Sequence, residues 1–184
     1  DVHRGLGGTG VVGSLRGTLG DGPVLGLRAD MDALPMVEET GAEHASATEG
    51  VFHGCGHDGH TTMLLGAAKH LAAHPEFAGV VHFVFQPAEE GLAGARAMIQ
   101  DGLFDRFPCD EVYGMHNWPQ LPLGAVAVRT GPMMAASDRI DVEVEGVGCH
   151  AAMPHKGVDP IYVASQIITS LQSLVSRTTN PLDA

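Results

Sequence analysis

The strongest constraint on the fold is a run of apolar side chains from Gly79 to Gln86, broken only by His82. A run of this length without strict alternation predicts a strand that is buried on both faces of a sheet. Pro87 ends the strand, because proline cannot donate a ladder hydrogen bond. Helices on both faces are the usual cover for such a strand, so the run predicts the centre of an α/β domain.

Helical and strand patterns alternate after this point and before it. Apolar residues recur at helical spacing from Asp58 to His74, which predicts a helix. A short helix is expected over Gly91 to Gln100 and a strand over Glu111 to Met115. This alternation favours a layered domain with parallel strands.

The N-terminal part predicts two more strands, Val11 to Gly17 and Val24 to Asp30, joined as a hairpin through the turn-like sequence Gly20 to Pro23. Ala33 to Gly56 has no sustained period and predicts a long ordered loop. Loops of this length are usually functional or disordered.

The pattern changes near Ala135. Asp138 to Glu145 alternates strictly between apolar and acidic residues, which predicts a half-exposed strand, and a helix is expected over Val158 to Ser176. A strand with one solvated face belongs to a different sheet from a strand buried on both faces. We therefore predict a domain boundary here, with residues 1–134 in one domain and 135–184 in the next.

Charge and composition exclude some classes of function. The formal net charge is −12, from 22 acidic and 10 basic residues, and no Lys/Arg cluster occurs, so nucleic acid is not expected as a partner. No apolar run is long enough to predict a membrane span. Three widely spaced cysteines argue against a disulfide framework and favour a reducing, cytoplasmic location. The chain starts without Met and stops directly after a helical pattern, so we expect a fragment.

Metal-binding side chains stand at the start of the predicted Asp58 helix. Cys55 and His57 are two residues apart, so in an extended segment both project to the same side, where zinc and similar ions accept sulfur and nitrogen ligands. For this motif alone, a buried inert cysteine beside a helix-capping histidine is the simpler interpretation.

Further donors follow three predicted strands, and their shared position favours the metal interpretation. Glu89 and Glu90 follow the buried strand, His116 follows the next strand, and Asp32 follows an earlier one. Ligands of open α/β sheets bind at the carboxyl ends of the strands. One glutamate could bind a metal while the other acts as a base, although acids favoured by a helix dipole are the alternative. Asp32 could orient a ligand or simply form a turn.

Five motifs together resemble one known family. They read GLRADMDALPM, CGHDGHTTMLLGAAKHLA, FQPAEEG, HNWP and GCHAAMPH. In this order they are similar to the aminoacylase and carboxypeptidase family of metallopeptidases, in the branch of the hippurate hydrolases and auxin amino-acid conjugate hydrolases. The resemblance covers essentially the whole chain and implies an incomplete zinc-exopeptidase-like catalytic domain, a mostly parallel α/β sheet flanked by helices, then the start of an α+β lid and dimerisation domain.

The resemblance also implies a set of roles. It implies a site with two divalent ions, zinc, manganese or cobalt, that cleaves the amide bond of N-acyl amino acids or short peptides. The implied metal ligands are Cys55, His57, Glu90 and His116. Glu89 would be the general base that activates a metal-bound water, and Asp32 the orienting carboxylate.

Two implications concern parts outside this site. His150 stands where the family places a histidine that reaches the active site of the partner subunit in a homodimer and stabilises the oxyanion. The family supplies one more histidine ligand after the lid domain, which this sequence does not contain. A non-catalytic metal-binding or dimerisation module is the alternative, and the isolated fragment is expected to be inactive.

Overall fold

The computed structural model describes residues 1–91, 93–134 and 139–179. Contacts between Cα atoms divide the chain into two compact units, Asp1–Pro122 and Leu123–Ala184, which we call the first and second units. The regular elements of the first unit are, in chain order, strands β1 (Val2–Leu6), β2 (Gly10–Arg16) and β3 (Val24–Asp30), helix α1 (His57–Ala73), strand β4 (Val80–Gln86), helices α2 (Gly94–Gln100) and α3 (Leu103–Arg106), and strand β5 (Glu111–Gly114).

The strands form one mixed sheet in the order β1-β2-β4-β3-β5. Strand β4 pairs in parallel with β3, which pairs in parallel with β5, as expected for the α/β domain. The β1–β2 and β2–β4 pairs are antiparallel. The sheet is therefore parallel at the end that carries the predicted site residues and antiparallel at the other.

The predicted hairpin between the second and third strands is wrong. Strand β2 pairs with β1 and β4, and β4 lies between β2 and β3 in the sheet. The apolar run of β4 explains this, because a strand that must be covered on both faces takes a central place and excludes direct pairing of its neighbours. The actual hairpin joins β1 to β2, and the sequence patterns did not predict β1.

Each face of the sheet has its own hydrophobic cluster. On one face, Leu64 of α1 packs with Ala29, Val81 and Phe83 of the strands. The other face has a cluster of five buried side chains from strands and short helices, namely Leu6, Val12, Val84, Met98 and Leu103. Coverage on both sides confirms the doubly buried strand that the sequence predicts for residues 80–86.

The remaining predictions for the first unit agree with the structure to within a few residues. Helix α1 runs from His57 to Ala73, and the short helix from Gly94 to Gln100. Residues 33–56 contain no helix or strand of their own, and an isolated bridge between Leu34 and Phe52 ties the two ends of this loop together. This bridge brings the start of α1 back towards the end of β3.

The second unit contains helix α4 (Pro160–Ser173), preceded by a short 3₁₀ turn and followed by a π-helical turn. Asp159 caps α4 by accepting hydrogen bonds from the backbone N–H groups of Ile161 and Tyr162. This agrees with the predicted helix. The predicted boundary near Ala135 lies outside the described residues and stays a prediction.

The predicted strand over residues 138–145 is not formed in the part that the structure describes, residues 139–145. Alternation shows that a segment suits a half-exposed strand, but a strand also needs a hydrogen-bonded neighbour. The described residues of the second unit pair only at the bridge between Val147 and Val158. Among the helices in the described ranges, none is long and apolar enough to cross a membrane.

Candidate metal centre

The predicted site residues of the first unit gather at the carboxyl edge of the parallel strands. Asp32 follows β3, Glu89 and Glu90 follow β4, and His116 follows β5. The parallel register places these three strand ends side by side, and the loop before α1 brings Cys55 and His57 to the same place. Chain segments far apart in sequence therefore supply one cluster.

His57 lies at the centre of this cluster. Its side chain is 1% exposed, and neither ring nitrogen has a hydrogen-bond partner. Nδ1 is 3.4 Å from Asp32 Oδ1, and Nε2 is 3.8 Å from Asp30 Oδ2, 3.8 Å from Glu90 Oε1 and 4.0 Å from Glu89 Oε2. A buried imidazole without hydrogen bonds, facing several carboxylates, is costly unless a cation lies between them. The donor set therefore fits a divalent metal.

Three groups of donors share His57, and two of them contain the other predicted site residues. Cys55, His57 and His116 form one group, and His57, Glu89 and Glu90 form the other, each with its ligand atoms within 4.8 Å of one another. Cys55 Sγ is 3.4 Å from His116 Nε2. Sulfur, nitrogen and carboxylate donors together suit zinc and other first-row transition ions.

The turn that carries the two glutamates is tightly constrained. Ala88 has a positive φ of 52°, which is uncommon for a residue with a side chain. The N–H of Gly94 donates to Ala88 O at 2.9 Å, and a Cβ at Gly94 would lie 1.8 Å from Pro87 O. Only glycine fits there, so the backbone closes on itself and holds the two glutamates at the strand end.

Asp32 is fixed by this same turn. The N–H of Glu90 donates to Asp32 Oδ2 at 2.9 Å. Burial raises the pKa of Asp32, but hydrogen bonds from the backbone of Glu90 and Glu89 and the charge of His57 outweigh it, so the pKa falls below its ordinary value of 3.8. Asp32 is therefore an anion whose other oxygen, Oδ1, faces His57 without a partner.

The pKa of the Cys55 thiol shifts in the opposite direction from that of Asp32. Burial, a hydrogen bond with Glu90 and the charges of Glu90 and Glu89 raise the pKa of Cys55 to about 11. The surrounding acids thus oppose a thiolate unless a cation compensates them. A metal ion reverses this preference, because a coordinating thiol loses its proton.

Sequence reasoning missed four residues of the site. Asp30 and His60 are buried and form a further group with His57, while Arg28 and Asn117 are hydrogen-bonded to that pair. Asp30 lies two residues before the predicted Asp32, but no pattern in the sequence predicted a role for it. Hydrophobic patterns do not mark a buried polar residue, although the repeat of histidine in His57-Asp58-Gly59-His60 was a usable signal.

His150, the remaining predicted site residue, lies in the second unit and is exposed. Its Nδ1 accepts a hydrogen bond from the N–H of Ala152 at 3.1 Å. The ring proton of the neutral form is therefore on Nε2, which is free to donate.

The fold and the donor cluster together define an α/β domain with a candidate metal centre at the carboxyl edge of its sheet. Comparison with known proteins gives the family. Residues 26–181 match the model of peptidase family M20/M25/M40, and the chain belongs to this family.

Several relatives are hydrolases. The chain is 51% identical to the hippurate hydrolase of Campylobacter jejuni, over 98% of this chain and 47% of that protein. It is 50% identical to the N-acetyl-L-cysteine deacetylase of Bacillus subtilis, over 96% of this chain and 42% of that protein. The chain thus spans less than half the length of these relatives.

A solved structure supports the fold. The YXEP protein of Bacillus subtilis, described as a dinuclear metal-binding peptidase of the M20 family, superposes with a TM-score of 0.71 and 36% identity, over 94% of this chain and 46% of that one. The family resemblance and the expected α/β sheet with flanking helices are therefore confirmed, for the part of the domain that the chain covers.

Proposed function

We propose that the whole protein is a metal-dependent amide hydrolase acting on N-acyl amino acids or short peptides, with hippurate-like compounds as the reference substrates. The observation that carries the proposal is the buried His57, whose two unbonded ring nitrogens face a ring of acidic and sulfur donors. The hippurate hydrolase and the deacetylase among the relatives support the same bond type.

Cys55, His57, Glu90 and His116 would hold two divalent ions, with zinc, manganese and cobalt as the candidates. The dinuclear relative supports this number, and the donor groups that overlap at His57 supply the side chains. Bound ions would supply an acidified water and a polarised amide carbonyl.

The three cysteines form no disulfide, which supports a cytoplasmic location.

The two adjacent glutamates take different roles. The Glu90 carboxylate is 3.8 Å from His57 Nε2, and its charge contributes to the raised pKa of Cys55, so Glu90 belongs with the ligands. Glu89 is the more exposed of the pair, 44% against 30%, and its carboxylate is farther from His57. A freer carboxylate beside the ligands suits a general base.

Glu89 takes a proton from the attacking water as the water oxygen bonds to the amide carbon. The same carboxyl then gives that proton to the amide nitrogen, and the C–N bond breaks. The products are a carboxylic acid and a free amino acid. Asp32, anchored by the N–H of Glu90, orients His57 throughout.

His150 donates from Nε2 to the oxygen that becomes negative during this step. We assign it to the active site of the partner subunit, in a homodimer formed through the second unit. The observation that supports a donor role is the Ala152 N–H, which leaves the proton of the neutral ring on the exposed nitrogen.

The test is a panel of N-acyl amino acids and dipeptides assayed on the whole protein before and after removal of metal. We expect amide cleavage to disappear in excess chelator and to return with Zn²⁺, Mn²⁺ or Co²⁺. Full activity in excess chelator contradicts the metal mechanism. Bound metal without hydrolysis of any member of the panel would instead favour a non-catalytic metal-binding module.

A further inference from the structure

His60 is a buried histidine with both ring nitrogens engaged. It is 2% exposed, and its Nδ1 is 2.6 Å from Asp30 Oδ1. Its Nε2 accepts a hydrogen bond from the backbone N–H of Asn117 at 2.9 Å. His60 therefore differs from His57, three residues earlier, whose nitrogens have no hydrogen bonds.

The backbone N–H of Asn117 fixes the direction of these hydrogen bonds. A backbone amide can only donate, so Nε2 of His60 has no proton and Nδ1 carries it, donating to Asp30. The side-chain Oδ1 of Asn117 lies 2.6 Å from Nε2, and because two acceptors repel each other, exchanging the amide O and NH₂ is the orientation compatible with this tautomer. The single lone pair of Nε2 accepts from the backbone N–H. No lone pair of His60 remains for a metal.

These contacts belong to a continuous series of hydrogen bonds and ion pairs that extends across the site, and we call this series the line. Arg28 Nε donates to Gln86 Oε1 at 2.8 Å, and Arg28 Nη1 lies 2.8 Å from Asp30 Oδ2. The line thus runs from β4 through β3 and α1 to the loop after β5. Every segment that carries a predicted ligand is attached to it.

His60 occupies the position in this line that links two ligands. The His57 ring stacks on it at 5.4 Å, and the His116 ring meets it edge-on at 4.5 Å. Asn117, which His60 holds, is the next residue after His116. A Cβ on Gly56 would come within 2.6 Å of the Asn117 amide, so this loop is also pressed against the segment between Cys55 and His57.

We infer that His60 is a positioning residue, which binds no metal itself but fixes His116 relative to His57 through the Asn117 peptide and so sets the metal affinity. The inference rests on the proposed metal centre. Partners that orient ligands in this way typically change metal affinity ten- to a hundredfold when they are lost.

Two substitutions separate the two links of His60. Asparagine places its amide near the position of Nδ1 and can still bond to Asp30, but it cannot reach Asn117. Glutamine is longer, and its amide oxygen reaches the position of Nε2, where it can accept from the Asn117 N–H. His60→Phe keeps an aromatic ring at this position and removes both links.

The experiment is a competition titration of Zn²⁺ against a chromophoric chelator, in the whole protein without substrate. We expect His60→Phe and His60→Asn to weaken zinc binding roughly ten- to a hundredfold, and His60→Gln to recover most of the loss. His82→Asn is the matched control, because His82 is also buried but is bonded to Ser14. This control should lower the thermal midpoint and leave zinc affinity unchanged.

Unchanged zinc affinity in His60→Asn, or equal weakening in His60→Asn and His60→Gln, overturns the inference. If His60→Phe does not fold, the asparagine and glutamine pair still decides it. Absence of zinc binding in the unaltered protein removes the proposed metal centre and this inference together. Normal zinc binding with insensitive variants removes the inference alone.

Discussion

The two units of the chain differ in where their apolar and polar side chains lie. In the described residues, all the buried side chains belong to the first unit, and they include Asp30, His57 and His60 in addition to the hydrophobic core. Helix α4 of the second unit has no buried residue, although Ile161 and Leu171 are apolar and are 79% and 52% exposed.

The two units are therefore ordered in different ways, the first by long-range packing and strand pairing and the second by local hydrogen bonds. The first unit holds its polar site at the ends of strands whose register is fixed by pairing, so each predicted ligand has a defined place. The described part of the second unit depends on local devices, such as the Asp159 cap of α4. A cap contributes only about 1 kcal/mol, far less than a packed core.

Glu89→Gln should have the largest effect, because it removes the proposed base from the first unit. We expect kcat to fall by roughly 10²–10⁴-fold, the usual contribution of a general base, with the metal content unchanged. Steady-state hydrolysis of an N-acyl amino acid and metal analysis give the two values. Glu76→Gln, an exposed acid before β4, is the control and should keep full activity. An active Glu89→Gln enzyme would show that the base lies elsewhere.

His150→Ala tests whether the exposed second unit contributes to the chemistry. Loss of one oxyanion donor should lower kcat by about 10²–10³-fold. Because His150 is assigned to the partner subunit, mixing His150→Ala with Glu89→Gln protein should restore activity in mixed dimers. Activity of the refolded mixture is compared with that of each variant alone. A mixture as inactive as its components would contradict the assignment to the partner subunit.

Two leucines compare the packing of the units directly. Leu64 is 7% exposed in the core under α1, and Leu64→Ala should lower the free energy of unfolding by about 2–5 kcal/mol. Leu171→Ala, on the exposed face of α4, should lie within about 0.5 kcal/mol of the unaltered protein. Urea unfolding measures both. An equally large cost at Leu171 would show that another surface covers α4 in the whole protein.

His82 gives the smallest effect, a pH dependence confined to the first unit. Burial lowers the pKa of His82 below its ordinary value of 6.5, so the unfolded chain binds this proton more readily. The free energy of unfolding should therefore decrease as the pH falls through 6.5 and level off below the lowered pKa, with a slope under about 1.4 kcal/mol per pH unit.

His82→Gln should flatten this part of the stability curve, as measured by urea unfolding between pH 5 and 8 in steps of roughly half a unit. His70→Gln is the control, because His70 is exposed on α1. An unchanged slope in His82→Gln would assign the pH dependence to other groups.

The sequence predicted the parts of the molecule in which apolar residues recur at regular spacing, and the strand ends that these patterns define. The doubly buried β4, the amphipathic α1 and the placement of Cys55, His57 and Glu90 at one edge all followed from such patterns. Strand order did not follow, because sequential strands are only usually neighbours, and β4 displaced the expected β2–β3 pairing.

The residues around the predicted ligands were not predicted either, although the repeat of histidine at His57 and His60 was a signal for one of them. Asp30 and His60 share a hydrogen bond although they are thirty residues apart in sequence, and no periodicity reports such a contact. The alternating segment 139–145 shows the opposite failure, a pattern without the predicted element. Its pattern suits a strand, but strand formation depends on a partner that the pattern does not contain.

The central position of β4 also has a consequence for how the protein folds as it is synthesised. Strands β2 and β3 emerge early but share no ladder hydrogen bonds, so they stay unjoined until residues 80–86 arrive between them. Closing the long connection between β3 and β4 lowers the conformational entropy of the chain, and this loss comes before the strand pairing that offsets it. The ribosome must therefore release β4 before Asp32 can meet its partners, and a translational pause ahead of Val80 would leave the unpaired edges of β2 and β3 open to aggregation.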